Sequence, residues 1–199
     1  MAFSNRAGLK VNGLLKPIGG SSATAAVMLA AMLAFTLPVK SEGLIHQLTV
    51  GALYHDMPDL WSGFQREPTS VDINVEAQLS PSMPTFFGGT LRPAIGANIN
   101  TAGATSNIYA DARITYDLPH RWFFATGLGL AIHDGNTDRR DPERKALGSR
   151  ALFHIPIEAG LRIGTHNSVS VYFEHTSNGY TQTFNEGFDR FGLRAGTRY

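Results

Sequence analysis

Apolar and polar residues alternate with a period of two through most of the chain from Leu44 to Tyr199, and helical spacing is almost absent. A period of two sends successive side chains to opposite faces of an extended strand. The C-terminus shows it best. Phe191, Leu193, Ala195, Thr197 and Tyr199 share one face, and Gly192, Arg194, Gly196 and Arg198 share the other. Over 106–118, Ile108, Ala110, Ala112, Ile114 and Tyr116 oppose Tyr109, Asp111, Arg113, Thr115 and Asp117. The same alternation runs through 122–132 and 151–163, and more weakly through 44–54, 70–79 and 91–100. With 167–178 and 188–199 these segments predict eight strands of about 10 residues, the pattern of the smallest common transmembrane barrel.

The two faces differ in kind. One is apolar, as lipid requires. The other carries glycine and charge, as expected of a narrow lumen in which Asp111, Arg113, Glu158, Arg162, Arg194 and Arg198 pair with one another and leave no channel. The connections also sort. Leu118-Pro119-His120-Arg121 and Gly164-Thr165-His166-Asn167 read as short periplasmic turns, and the charged stretch 133–149 reads as a long outer loop. The segment 80–90 is too long for the short turn that this scheme assigns to it.

The first 41 residues read as a signal peptide. Arg6, Lys10 and Lys16 precede an apolar run from Ala25 to Leu37, and no acid occurs before Glu42. The run is shorter than the roughly 20 residues of a spanning helix, which disfavours an uncleaved anchor. Cleavage after Ser41 leaves 42–199 as a single barrel domain of the outer membrane.

Composition narrows the function. Lys and Arg number 17 against 16 Asp and Glu, a balance unlike that of a nucleic-acid binder. The chain has no cysteine, which excludes disulfides, thiol nucleophiles and cysteine metal sites. His55-Asp56 and His133-Asp134 lack a diagnostic ligand spacing and are assigned to loop rims; no metal or other cofactor is expected. Arg139, Arg140, Arg144 and Lys145 form a basic cluster that either meets phosphates or is simply solvated.

The candidate chemistry lies in Phe173-Glu174-His175-Thr176-Ser177-Asn178-Gly179. His175 and Ser177 leave the same face of a strand, in register with the apolar Val169, Val171 and Phe173. Polar groups facing lipid are costly without partners or a purpose. A hairpin centred on Gln182 sets Asp189 opposite His175 on that face. Serine as nucleophile, histidine as base and a carboxylate to orient the ring make a triad. The Asn178 amide or backbone N–H groups around Gly179 are the candidate oxyanion donors. Glu186, in the turn Asn185-Glu186-Gly187, is the alternative acid, although a turn carboxylate is ordinarily solvated. The competing interpretation is a non-catalytic small outer-membrane barrel with a structural or adhesive role.

In these residues the chain resembles the PagL-type lipid A 3-O-deacylases. The family's His-x-Ser-Asn is matched by His175-Thr176-Ser177-Asn178, with an acid fourteen residues after the histidine, at Asp189. The resemblance implies an outer-membrane barrel that hydrolyses the ester holding the acyl chain at position 3 of lipid A. Ser177 would be the nucleophile, His175 the base, Asp189 the orienting acid and Asn178 a helper of the oxyanion hole. It implies lipopolysaccharide as the substrate, no nucleic-acid partner, and leaves a homodimer open. Two departures stand out: the family's acid is glutamate, and its glycine lies two residues after the asparagine, where this chain has Tyr180.

Overall fold

The structure, a computed structural model, describes residues 43–85 and 88–199. The signal-peptide assignment falls on residues outside that range. Nine strands form: β1 (Ile45–Tyr54), β2 (Val71–Leu79), β3 (Met83–Pro84), β4 (Thr90–Asn100), β5 (Asn107–Asp117), β6 (Trp122–His133), β7 (Ala151–Ile163), β8 (Asn167–Ser177) and β9 (Phe188–Arg198). All except the two-residue β3 are barrel staves, paired antiparallel. The β1–β9 and β2–β4 pairings close the sheet on itself. The result is the expected eight-stranded antiparallel barrel, with strand limits within one or two residues of those read from the alternation.

Closure leaves the eight staves without an unpaired edge, which lipid demands because it offers no hydrogen bonds. Ile95, Ile99, Ile108, Leu128, Leu130, Ile132 and Leu193 are exposed on the outer wall, as lipid-facing residues must be. Their neighbours point inward and are buried, and the interior is mostly polar. Arg113 pairs with Glu76 and Asp111, and Arg194 with Glu76. Both guanidiniums also lie within 4 Å of Glu158. These ladders fill the lumen with paired opposite charges, the condition under which buried ions are tolerated.

The misfit at 80–90 resolves structurally. Met83 and Pro84 add a short strand to the start of β4, pairing with Leu91 and Thr90. The connection is long because it folds back to extend the sheet. All the long loops gather at the opposite end: 55–70, 101–106, 134–150 and 178–187.

Candidate active site

Strands β8 and β9 pair in the register that the hairpin predicts, with His175 opposite Asp189. His175 Nδ1 lies 2.6 Å from Asp189 Oδ1. The pair sits on the outward face at the loop end, one alternation beyond Phe173 and Phe191, which are themselves opposite each other. An outward position would leave both side chains open, yet His175 is 5% exposed and Asp189 is fully buried.

The cover is the 55–70 loop. Trp61 stacks on the His175 ring at 4.5 Å with an interplanar angle of 10°. Its outer surface stays 58% exposed, an aromatic at the membrane rim. Next to it, Ser62 gives Asp189 Oδ2 two hydrogen bonds, from its backbone N–H at 2.6 Å and its hydroxyl at 2.9 Å. The Met57 N–H donates to the Asp189 carbonyl at 2.9 Å. On the remaining side Gly187 presses against the imidazole. A Cβ there would come within 2.8 Å of His175 Cε1, so only glycine permits this approach.

Ser177 ends β8, opposite Phe153 and two residues from His175. The structure joins two members of the expected triad, His175 and Asp189, by a hydrogen bond. Among the described residues the Ser177 hydroxyl forms no hydrogen bond to the ring.

Asn178 is committed to the loop framework. Its side-chain N–H groups donate to the carbonyls of Leu147, at 2.9 Å, and Phe184, and its backbone N–H donates to Asn185 Oδ1 at 2.9 Å. Thr181 N–H returns to the Asn178 carbonyl at 3.2 Å, closing a turn in which Gly179 and Tyr180 both have φ of 63°. That is a primed turn with two left-handed central residues. Position 180 therefore keeps a backbone suited to glycine, and Tyr180 adopts it at a cost of about 1–2 kcal/mol.

Glu186 departs from the solvated turn residue that the sequence suggested. It is buried, accepts hydrogen bonds from Arg139 Nε at 3.1 Å and Ala146 N–H at 2.8 Å, and pairs with Arg66 at 3.2 Å. It ties three loops together, and among the described residues it forms no hydrogen bond or ion pair with His175. Lys145 is also displaced from expectation. Grouped by sequence with a surface basic cluster, it is fully buried and pairs with Asp56 at 2.7 Å. Arg139 and Arg140 do remain on the surface, with side chains 67% and 66% exposed.

The rim histidines organise the same loops. His55 sits between Asp72 and Glu67 with both ring nitrogens engaged. Burial would lower its pKa, but the hydrogen bonds to Asp72 and Glu67 raise it above the usual histidine value. Burial likewise opposes ionisation of Glu67, yet the bonds from His55 and Thr105 hold it down to about 2. His133 reaches the Ser149 carbonyl at 2.7 Å.

Trp61 and Ser62 were not singled out by the sequence, and the pairing of Asp56 with Lys145 was not foreseen. A tryptophan beside a serine in a polar loop was the one available signal, and nothing local connects it with a histidine more than a hundred residues later.

A closed, filled, eight-stranded barrel with an apolar outer belt defines a small outer-membrane barrel, and the His–Asp pair on its outer rim adds a candidate reactive site. Residues 84–198 match the family model described as PagL, lipid A 3-O-deacylase, which takes in more than half of the chain. The chain belongs to that family of bacterial outer-membrane acyl hydrolases. Among solved structures it is similar to one titled as the outer membrane enzyme PagL, with a TM-score of 0.55 and 19% identity over 77% of this chain and 99% of that one. It is also similar to Neisserial surface protein A, with a TM-score of 0.50 and 9% identity over 80% of this chain and all of the other. At such identities these likenesses speak for the fold. A search of curated proteins finds no match.

Proposed function

We propose that this chain is a serine esterase that removes the acyl chain ester-linked at position 3 of lipid A, acting in the plane of the outer leaflet. The observation that carries the reading is the His175–Asp189 pair on the membrane-facing side of the wall, 2.6 Å apart, with Ser177 on the same face. With Nδ1 bound to the carboxylate, the ring keeps its Nε2 lone pair available as a base. Ser177 Oγ attacks the ester carbonyl and passes its proton to Nε2. The tetrahedral intermediate then expels the sugar hydroxyl, which takes that proton from the imidazolium. Water, deprotonated by the same ring, releases the fatty acid and restores Ser177.

The oxyanion falls to the Gly179 N–H, because the Asn178 N–H and side-chain amide are already committed. Asn178 supports this donor by fixing the turn. A groove of about 940 Å³ on the outer wall includes Val50, Ala52, Tyr54, Val171, Phe191 and Leu193. It begins one alternation from the His175–Asp189 pair, where acyl chains can lie while the ester meets Ser177. Residues 1–41 serve as the export signal, and the loop end faces the cell exterior.

Ser177→Ala tests the reading. The purified, refolded protein should lose lipid A deacylation by several orders of magnitude, with heat-modifiable gel mobility showing an intact barrel and mass spectrometry of lipid A reading the product. Near-normal cleavage by the variant would exclude Ser177 as nucleophile. A wild-type protein that leaves lipid A intact would return the chain to a non-catalytic barrel.

A further inference from the structure

We propose that Ser62 and Lys145 are positioning residues of this site: a buried lysine orients a serine hydroxyl that in turn fixes the acid behind His175. The inference rests on the serine-esterase reading above. Asp189 Oδ1 faces the ring, so Oδ2 decides whether the carboxylate stays aligned. Both donors to Oδ2 come from Ser62, a half-buried loop residue 127 positions away in sequence. A serine hydroxyl has one proton and can rotate. Lys145 removes that freedom.

The Lys145 ammonium is fully buried and has three donors and no acceptor. It reaches Asp56 Oδ1 at 2.7 Å, the Gly187 carbonyl at 2.7 Å and Ser62 Oγ at 3.2 Å. It also lies over the Phe64 ring, 4.5 Å from the centroid. Since the ammonium can only donate, Ser62 Oγ accepts from it, and the hydroxyl proton points to Asp189. The direction of the relay is therefore set by donor chemistry: Lys145 to Ser62, Ser62 to Asp189, and Asp189 accepting from His175 Nδ1. Asp56 is anchored in turn by the backbone N–H groups of Arg66 and Glu67, at 2.8 and 2.9 Å.

The same ammonium braces the ring from another side, because Gly187, whose carbonyl it binds, packs against His175. One buried cation thus joins the 55–70, 134–150 and 178–187 loops directly behind the acid–base pair. A purely structural clamp would have no need of a serine whose hydroxyl and N–H both end on the carboxylate oxygen. The charged groups around the relay are Asp189, Lys145 and Asp56. Arg190 lies across the Phe188 ring at 4.5 Å, and Glu67 and Glu186 accept from the backbone N–H groups of Lys145 and Ala146.

Withdrawing the Ser62 proton or the Lys145 charge leaves Asp189 less neutralised. The imidazolium is then favoured, and protonation silences the base at higher pH. The test uses the full mature barrel refolded in detergent, with lipid A as substrate. It compares Ser62→Ala, Ser62→Thr, the double variant Asp56→Asn with Lys145→Met, and Ser177→Ala. The double variant avoids stranding a buried carboxylate. Ser62→Ala and the double variant should each lower kcat about tenfold, the scale of one charge-assisted hydrogen bond. KM should stay within about twofold in both, and in Ser62→Ala, which takes a donor from Asp189 and no charge, the acid limb of the kcat/KM profile should rise by about half a pH unit. Ser62→Thr, which keeps the hydroxyl and the N–H, should restore kcat to within about twofold of wild type.

Wild-type kcat and an unmoved acid limb in Ser62→Ala would overturn the proposal. So would a loss confined to KM. Should the double variant not fold, Ser62→Ala decides alone, since it deletes one hydroxyl from a surface loop. Ser177→Ala separates the two readings. If it remains active, the esterase mechanism fails; if it is dead while Ser62→Ala behaves as wild type, only the positioning role fails.

Discussion

Two histidines stand almost back to back in the same wall, and they are bound in opposite ways. His154 on β7 pairs with Thr176, the neighbour of His175 on β8. His154 points into the lumen, fully buried, with Nδ1 at 2.8 Å from Asp111 and Nε2 at 3.1 Å from Glu174. It stacks on Tyr109 at 4.3 Å, much as His175 stacks on Trp61 at 4.5 Å. The difference is the second nitrogen. His154 has an acid on each side and no lone pair to offer, so it is a strut in a charge ladder. His175 has one acid, on Nδ1, and among the described residues no hydrogen bond occupies its other nitrogen, which is the arrangement a general base requires. Burial and a carboxylate neighbour do not by themselves mark a catalytic histidine.

The largest expected effect breaks the outer arrangement. Asp189→Asn should lower turnover by about two to four orders of magnitude, the scale seen when a triad acid is neutralised. The asparagine amide favours the wrong ring tautomer and also loses the charge that stabilises the imidazolium. Lipid A deacylation by refolded protein measures it. An effect below tenfold would put His175 in the same class as His154.

The converse change is inside the barrel. Glu174 accepts from His154, Arg190, Asn98 and Tyr172. Glu174→Gln leaves Arg190 and His154 short of a counter-charge, and should destabilise the barrel by about 3 kcal/mol. The midpoint of urea unfolding, followed by gel mobility, reads this. Turnover per folded molecule should change by less than about threefold. A catalytic collapse in folded Glu174→Gln would mean that the inner ladder and the outer pair act as one unit.

The contrast also explains what was legible in the sequence. A one-residue slip would turn every side chain to the wrong face, so burial enforces the alternation strongly. That is why the strand limits, the inward placement of Asp111, Arg113, Glu158 and Arg194, and the His175–Asp189 pairing follow from period and register, whereas Arg162, expected among them, turns to Asp117 and Arg198 to the Thr165 carbonyl. The covering 55–70 loop and the relay follow no period. Ser62 meets residues 127 and 83 positions away, Asp189 and Lys145. Only the closing of the barrel brings those loops together. Lys145 misled for the same reason: in a run with Arg139, Arg140 and Arg144 it looks like surface charge. Its burial depends on Asp56 and Gly187, which arrive from two other loops.

The smallest expected effect concerns Glu186, the second acid near the hairpin. Sequence distance alone makes it a rival to Asp189 for His175. The structure gives it other work: it accepts from the Ala146 N–H and pairs with Arg66 and Arg139, whose side chains are 34% and 67% exposed. Ion pairs with such exposed arginines are screened and contribute roughly 0–1 kcal/mol. Glu186→Gln keeps an oxygen for the Ala146 N–H and loses only the charge. Turnover should therefore change by less than about threefold, while the loop end becomes more open to protease at Arg139 and Arg140. Raising salt in the wild type should reproduce part of that sensitivity, since screening weakens the same pairs. The assay pairs lipid A deacylation with limited trypsin digestion of the refolded barrel. If Glu186→Gln abolished turnover while Asp189→Asn spared it, the acid serving His175 would lie in the turn, and the β8–β9 register that puts Asp189 beside the ring would not be the catalytic one.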